Sequence, residues 1–221
     1  MLETFMASFD NFYNEALELG QNRKTTLTVG MPAILGSFFF ERLIPKFEEA
    51  NPGIHLTIHE TPTLIGLKMI KENLLDLFIG IIEKEDPSYD CKLIFETNLV
   101  FWASREHPLA SEKVIKGSDL RNQPFIMVPQ GSYHFKVISR QYENIPLNVV
   151  MHSNQLPTIR YMLKNLAVTI LYEQVFENDD AFCKIPLSEP LPAKIGVFWK
   201  KNTYLTDAMR AFVRFIKSIQ L

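Results

Sequence analysis

Thr26-Leu27-Thr28-Val29-Gly30, Leu43-Ile44-Pro45-Lys46-Phe47, Asn51-Pro52-Gly53, the run from Ile54 to Glu60, and Leu75-Asp76-Leu77-Phe78-Ile79-Gly80 decide the fold of this chain by their order. The first is a short strand, and the aromatic segment after it reads as a helix ending at Leu43 to Phe47. Asn51-Pro52-Gly53 then interrupts the chain, as Pro and Gly do between regular elements. Ile54, Leu56 and Ile58 alternate with His55, Thr57 and His59. One face of that strand is apolar and the other wet, as at a sheet edge or a subunit interface. Leu75 to Ile79 is apolar on both faces except at Asp76, the pattern of a central parallel strand. The order is strand, helix, strand, helix, strand.

The alternation continues outward. Strands are expected at Phe125 to Val128, Leu147 to Met151, Ala167 to Leu171 and Lys194 to Trp199, with helices near Pro157 to Lys164 and Leu205 to Ile219. Repeated βα units mean an α/β protein with mainly parallel sheets, and their number suits two lobes better than one continuous sheet. Toward the start, Leu2, Phe5, Met6, Phe9, Phe12, Tyr13, Ala16 and Leu17 recur at helical spacing and Gly20 is a stop. This amphipathic helix either packs on its own domain or stands outside the main fold. No repeat of fixed period and no low-complexity tract is present.

Composition removes several classes of function. The 221 residues are 47% hydrophobic and 22% charged, an ordinary globular balance long enough for one large core or two small ones. A net charge of −2 is wrong for a domain whose main partner is a phosphate backbone, because that binding needs clustered Lys and Arg. Cys91 and Cys183 are too few for a disulfide scaffold, and a reducing cytoplasm fits them best. No signal peptide and no membrane-spanning apolar run is visible. Secretion and membrane insertion are therefore not expected.

The residues that could carry chemistry do not assemble a recognised catalyst. His55 and His59 have helical metal-pair spacing, but four strand residues span about 13 Å, too far for one ion. In Gln130-Gly131-Ser132-Tyr133-His134 the nucleophile elbow is absent and no acid is placed to orient the imidazole. Glu83, Glu85 and Asp86 before Pro87 read as a solvated turn. With nine glycines, the chain has neither a dinucleotide fingerprint nor a phosphate-binding loop. Neither an enzymatic activity, a cofactor nor a metal is expected. What remains is a binding site at the carboxyl ends of parallel strands, where helix N-termini offer free N–H groups. Met31 to Ser37, Pro129 to Phe135 and His152 to Thr158 are the loops in that place.

The opening pattern, together with Glu106-His107-Pro108-Leu109-Ala110, resembles the effector-binding domain of LysR-type transcriptional regulators, over nearly everything from Leu27 to Ile219. The resemblance implies the type 2 periplasmic-binding-protein fold, two Rossmann-like lobes joined by two crossover strands. Residues 1–24 would be the end of a linker helix and the linker, 25–98 with 203–221 the first lobe, and 99–202 the second. It implies a small-molecule effector held in the inter-lobe cleft by Gln130 and Ser132, with Ser153, Asn154, Thr97, Asn98, Tyr172 and Glu173 as further candidates, and Pro32, Ala33 and Ser37 from the first lobe. Ser132 is equally readable as a helix N-cap, and Ser153 and Asn154 as turn or cap residues.

This sequence departs from the family pattern in two places. Met31-Pro32-Ala33-Ile34 stands where many members carry a hydroxyl for an anionic effector, and Asn165-Leu166-Ala167-Val168-Thr169-Ile170 stands in place of a Gly-x-Gly-Ile stretch. The family also implies a homodimer, or a tetramer in the full-length regulator. In it the helix after the first strand and the half-polar edge strand pack on the partner's second lobe, here through Phe38, Phe39, Leu43, His55, Thr57 and His59; the alternative for the apolar helix residues is a place in the core. DNA would be reached only through an N-terminal winged helix-turn-helix, so the chain is expected to be a piece of a longer cytoplasmic regulator. The competing reading is the solute-binding protein of a transporter, which shares the fold.

Overall fold

In the computed structural model residues 25–83 and 86–218 are described; the helix expected over 2–19, the linker at 21–24 and Glu85 lie outside them. The chain runs β1 (Thr25–Met31), α1 (Ala33–Arg42), α2 (Ile44–Ala50), β2 (Ile54–Glu60), α3 (Thr63–Lys71), β3 (Leu77–Ile81), β4 (Tyr89–Ser104), β5 (Pro124–Met127), α4 (Tyr133–Gln141), β6 (Asn148–His152), α5 (Leu156–Lys164), β7 (Val168–Tyr172), β8 (Phe182–Ile185), β9 (Leu191–Lys200) and α6 (Asp207–Ser218). Two 3-10 turns lie between β4 and β5. The first, Pro108–Ser111, is capped by His107, whose Nδ1 accepts the Leu109 N–H at 3.1 Å.

The chain divides into two compact units, residues 1–94 with 195–221, and 95–194. In unit 1 the strands are ordered β2-β1-β3-β9. Leu27, Val29 and Met31 alternate inward along β1, and β1 pairs in parallel with β2 and β3. All five residues of β3 are buried, as its two-sided apolar run requires, while β2 is the outer strand, as its alternation requires. α3 approaches β3 so closely that a Cβ on Gly66 would lie 2.1 Å from Phe78 Cε2. Glycine is required there by contact, not by backbone conformation.

The expected single helix after β1 is two helices. They meet at Leu43, and Pro45 lies in the first turn of the second, where a missing N–H costs nothing. Phe39, Leu43 and Phe47 are all 0% exposed. Phe47 packs edge-on against Phe212 and Phe215 of α6, with ring centroids 5.2 and 5.3 Å apart. Phe39 and Leu43 are thus core residues of unit 1, which is the alternative to the interface role expected of them. Their spacing of four makes one stripe, and the apolar face it forms is consumed within the unit. The Phe38 side chain lies outside the described set.

Unit 2 orders its strands β4-β7-β5-β6, with β8 also on β4. β5 is parallel to β6 and β7, but β4 is antiparallel to β7 and β8, and in unit 1 β9 is antiparallel to β3. The sheets are therefore mixed where mainly parallel ones were expected. A strand arriving from another unit is not tied to its neighbour by a βαβ crossover, so nothing forces it to run parallel. The unit boundaries fall inside β4, at Ile94/Phe95, and inside β9, at Lys194/Ile195, against the expected 98/99 and 202/203. Both crossings lie within continuous strands, with no linker composition to mark them.

Candidate functional site

The register of unit 2 gathers most of the candidate residues at one end of its sheet. Met127 at the end of β5 is opposite His152 at the end of β6, and β7 runs the same way beside β5. β4 runs against β7 with Leu99 opposite Tyr172, which brings Thr97 and Asn98 to that end also. The main chain closes the corner, since the Glu173 N–H donates to the Asn98 carbonyl at 3.2 Å. Gln130, Ser132, Ser153, Asn154, Thr97, Asn98, Tyr172 and Glu173 are thus all at the carboxyl end of β5, β6 and β7. Ligands of open α/β sheets sit there.

The loop after β5 is built by local rules. Gly131 has φ +84°, a left-handed conformation that a Cβ would strain. The turn it makes sets Ser132 as the N-cap of α4, its hydroxyl accepting the Phe135 N–H at 3.2 Å and donating to the Pro129 carbonyl at 2.8 Å. Ser132 is thereby spent on the helix, and the other N–H groups of the first turn remain for an acceptor. Gln130 is exposed, and no partner for its amide is present among the described residues. After β6, Ser153 accepts the Gln155 N–H at 3.1 Å in a turn role, and Asn154 is exposed.

At the β4/β7 corner the polar groups converge. The Thr97 hydroxyl, in a residue 3% exposed, lies 2.9 Å from Gln174 Oε1 and 3.2 Å from Glu173 Oε1. The same carboxylate oxygen is 3.4 Å from the Asn98 N–H. Lys184 is close by, but its ammonium meets the Glu173 main-chain carbonyl at 3.3 Å and the Glu177 carboxylate at 3.6 Å. Tyr172 is 2% exposed and burial raises its phenol well above the ordinary value; its carbonyl accepts the Trp102 indole N–H at 3.0 Å.

Two residues here were not among the sequence candidates. Gln174 lies one residue beyond the expected pair. His134, in the first turn of α4, packs edge-on against Tyr172 with ring centroids 4.4 Å apart. It is 6% exposed, and its Nε2 has no hydrogen-bond partner among the described residues. Burial pushes its pKa down to about 3, so the ring is neutral. No residue pattern signals that burial, which β7 imposes from 38 positions away by sheet pairing.

The unit 1 candidates are less open to a ligand. Pro32 precedes α1 and Ala33 begins it, and the Ser37 hydroxyl donates to the Ile34 carbonyl at 2.8 Å inside the helix. On β2, His55 and His59 are exposed and Thr57 half-buried, with His55 Nδ1 3.4 Å from Glu48. Where the family has its glycine stretch, Thr169 is buried and donates to the Ile126 carbonyl at 2.8 Å, tying β7 to β5. Elsewhere in unit 2 an open pocket of about 410 Å³ is lined by Lys116, Ser118, Gln141, Tyr142, Ser188 and Glu189. It brings together none of the candidate residues. Several elements converge polar groups at the strand ends, whereas in this pocket Gln141 and Glu189 already bond each other. Among the described residues no helix is long and apolar enough to cross a membrane.

A family model for the LysR substrate binding domain matches residues 20–220. The malolactic fermentation system transcriptional activator of Lactococcus lactis is 26% identical over 201 residues, covering 87% of this chain and 67% of its own length. The regulatory domain of Synechocystis CcmR, solved with 2-PG, superposes with a TM-score of 0.78 at 18% identity, over 88% of this chain and 96% of that one. The effector-binding domain of QuiR, solved with shikimate, does so with a TM-score of 0.73 at 18% identity, over 86% and 94%. These likenesses show the fold, a two-lobe α/β architecture of the periplasmic-binding-protein kind.

Proposed function

Since this chain belongs to the LysR substrate-binding domain family, we propose that it senses a small metabolite at the strand ends of unit 2 and passes the event to DNA through a dimer and a separate DNA-binding domain. It binds and does not catalyse. The observation that carries the reading is the convergence at one sheet end of the α4 N-terminus, Gln130, Asn98, Asn154 and the Thr97–Glu173 corner. Two structural neighbours are described with bound small molecules, 2-PG and shikimate, which supports a ligand of similar size. The relatives are regulators of transcription, and the transporter reading has no such support. The cytoplasm is the compartment that goes with this role.

The dimer we propose uses the two sheet edges. β2 is the outer strand of unit 1 and carries His55, Thr57 and His59; β6 is the outer strand of unit 2 and carries Val149 and Val150 at 38% and 47% exposure. Unpaired strand edges with apolar side chains are surfaces that proteins cover, and a two-fold pair is the simplest closed way to cover them. Binding acts on DNA only if the ligand prefers one arrangement of the assembly over another.

The test is thermal unfolding against a panel of amino acids, organic acids, sugars, nucleotides and sulfur metabolites. A ligand at ~100 times its dissociation constant stabilises by about 2.7 kcal/mol. A selective shift lost in Gln130→Ala and in Asn154→Ala supports the reading; a shift untouched by both variants puts the ligand elsewhere.

A further inference from the structure

We propose that the ligand is of the amino-acid class, its carboxylate taken by the N-terminus of α4 and its ammonium by the corner formed by Thr97, Glu173 and Gln174. This rests on the strand-end site proposed above and adds the chemistry of what fills it.

The corner has more acceptors than protons. A threonine hydroxyl has one hydrogen, yet Thr97 Oγ1 lies within reach of Gln174 Oε1 at 2.9 Å, Glu173 Oε1 at 3.2 Å and the Asn98 carbonyl at 3.5 Å. Turning the Gln174 amide would supply one more proton, but Glu173 would still have only Thr97 and the 3.4 Å Asn98 N–H, both on Oε1. Its other oxygen has no protein partner among the described residues. Among the described residues no cation pairs with this carboxylate either, Lys184 being engaged by the Glu173 main-chain carbonyl and by Glu177. An ammonium group brings three donors and a positive charge, the two things the corner lacks.

The complementary half is adjacent. α4 begins at the end of β5, and β5 is the direct neighbour of β7, whose end carries Glu173. Neighbouring strands are about 4.8 Å apart, so a ligand with carboxylate and ammonium a few bonds apart spans the two. The helix N-terminus attracts the carboxylate through its free N–H groups and its partial positive charge. His134 stands at the junction, in the first turn of α4 and against Tyr172, the residue before Glu173, with its buried Nε2 unpaired. Being neutral, it adds no cation of its own beside the ammonium. A plain organic acid brings no cation for the Glu173 carboxylate at the neighbouring strand end.

The experiment uses the whole chain and matched probes, the standard amino acids beside their 2-hydroxy and 2-oxo analogues of identical skeleton, read by thermal shift and then calorimetry. The expected result is one group of amino acids that stabilises, with analogues lacking the ammonium at least 100-fold weaker. Glu173→Gln is expected to weaken the amino acid roughly 10- to 100-fold while leaving the ligand-free melting temperature within a degree or so. Thr97→Val, a second variant of the same corner, is expected to weaken it in the same sense. If an analogue without the ammonium binds as well as the amino acid, or Glu173→Gln leaves affinity unchanged, the class assignment is overturned while the sensor reading stands. If no probe binds at millimolar concentration, the class assignment is overturned; if sugars or nucleotides then bind and Gln130→Ala abolishes it, the sensor reading stands without it.

Discussion

His134 and Tyr172 meet ring edge to ring face with centroids 4.4 Å apart, and the histidine is left with a buried nitrogen that has no partner among the described residues. That contact has a consequence for acid stability. Burial holds the folded-state pKa near 3, below the ordinary 6.5, so the unfolded chain takes up a proton that the folded one refuses. The stabilisation is whole above pH 6.5 and is lost as the pH falls from there toward 3. One such group costs about 1.4 kcal/mol per pH unit in that window. His134→Leu removes the group, so unfolding free energies measured by urea between about pH 6.5 and 4 should fall less steeply in the variant. Parallel slopes would mean that the ring is protonated in the folded state.

Gly131 at φ +84° has open space where a Cβ would go, so only backbone conformation opposes a side chain there. Gly131→Ala should cost about 1–2 kcal/mol, and Gly131→Asn less, because Asn tolerates the left-handed region. Denaturant unfolding of both variants checks the order.

Gly66 poses the opposite problem. Its backbone is ordinary, but Phe78 fills the place of its Cβ. Gly66→Ala should destabilise by about 1–3 kcal/mol through overpacking, and Phe78→Leu should relieve part of that cost when the two are combined. A double-mutant cycle with no coupling would show that α3 simply shifts away.

Ser132→Ala should remove about 1 kcal/mol by leaving the Phe135 N–H without its cap. Ser132→Asp should restore most of that loss, since aspartate caps as well, but should weaken an anionic ligand group at the same N-terminus. Melting temperatures and ligand titrations of the two variants separate the capping role from the binding role.

Val150 is 47% exposed on the outer strand β6. Val150→Lys should leave the unfolding free energy within about 0.5 kcal/mol of the parent, as surface changes do. In sedimentation velocity it should shift the chain toward monomer. An unchanged sedimentation coefficient would remove β6 from the dimer we propose.

How much of this was legible beforehand depends on whether a residue's role was local. β2 is found from Ile54 to Glu60, as its alternation indicates, because a sheet edge writes its two faces into neighbouring residues. β3 shows its central place by the apolar run read over Leu75 to Ile79, although the strand itself is Leu77–Ile81. The Ser132 cap was legible as one of two roles, since capping depends on three residues in a row. Pro45 marks the break at Leu43, but the apolar spacing runs across it and reads as one helix. Phe39 and Leu43 misled because an apolar helix face looks the same whether its own unit or another subunit covers it. The antiparallel crossing strands, the burial of His134 and the Thr97–Gln174 contact arise between residues tens of positions apart, and no window of sequence contains them.

The continuity of unit 2 lets it be complete in sequence before unit 1 is. Residues 95–194 are unbroken in sequence, whereas unit 1 receives β9 and α6 only afterwards. On a ribosome the second unit can therefore close while the first still lacks the antiparallel partner of β3 and the rings of Phe212 and Phe215 that cover Phe47. A chain that ends before α6 lacks the rings that cover Phe47, and an apolar surface of that kind is what a chaperone holds.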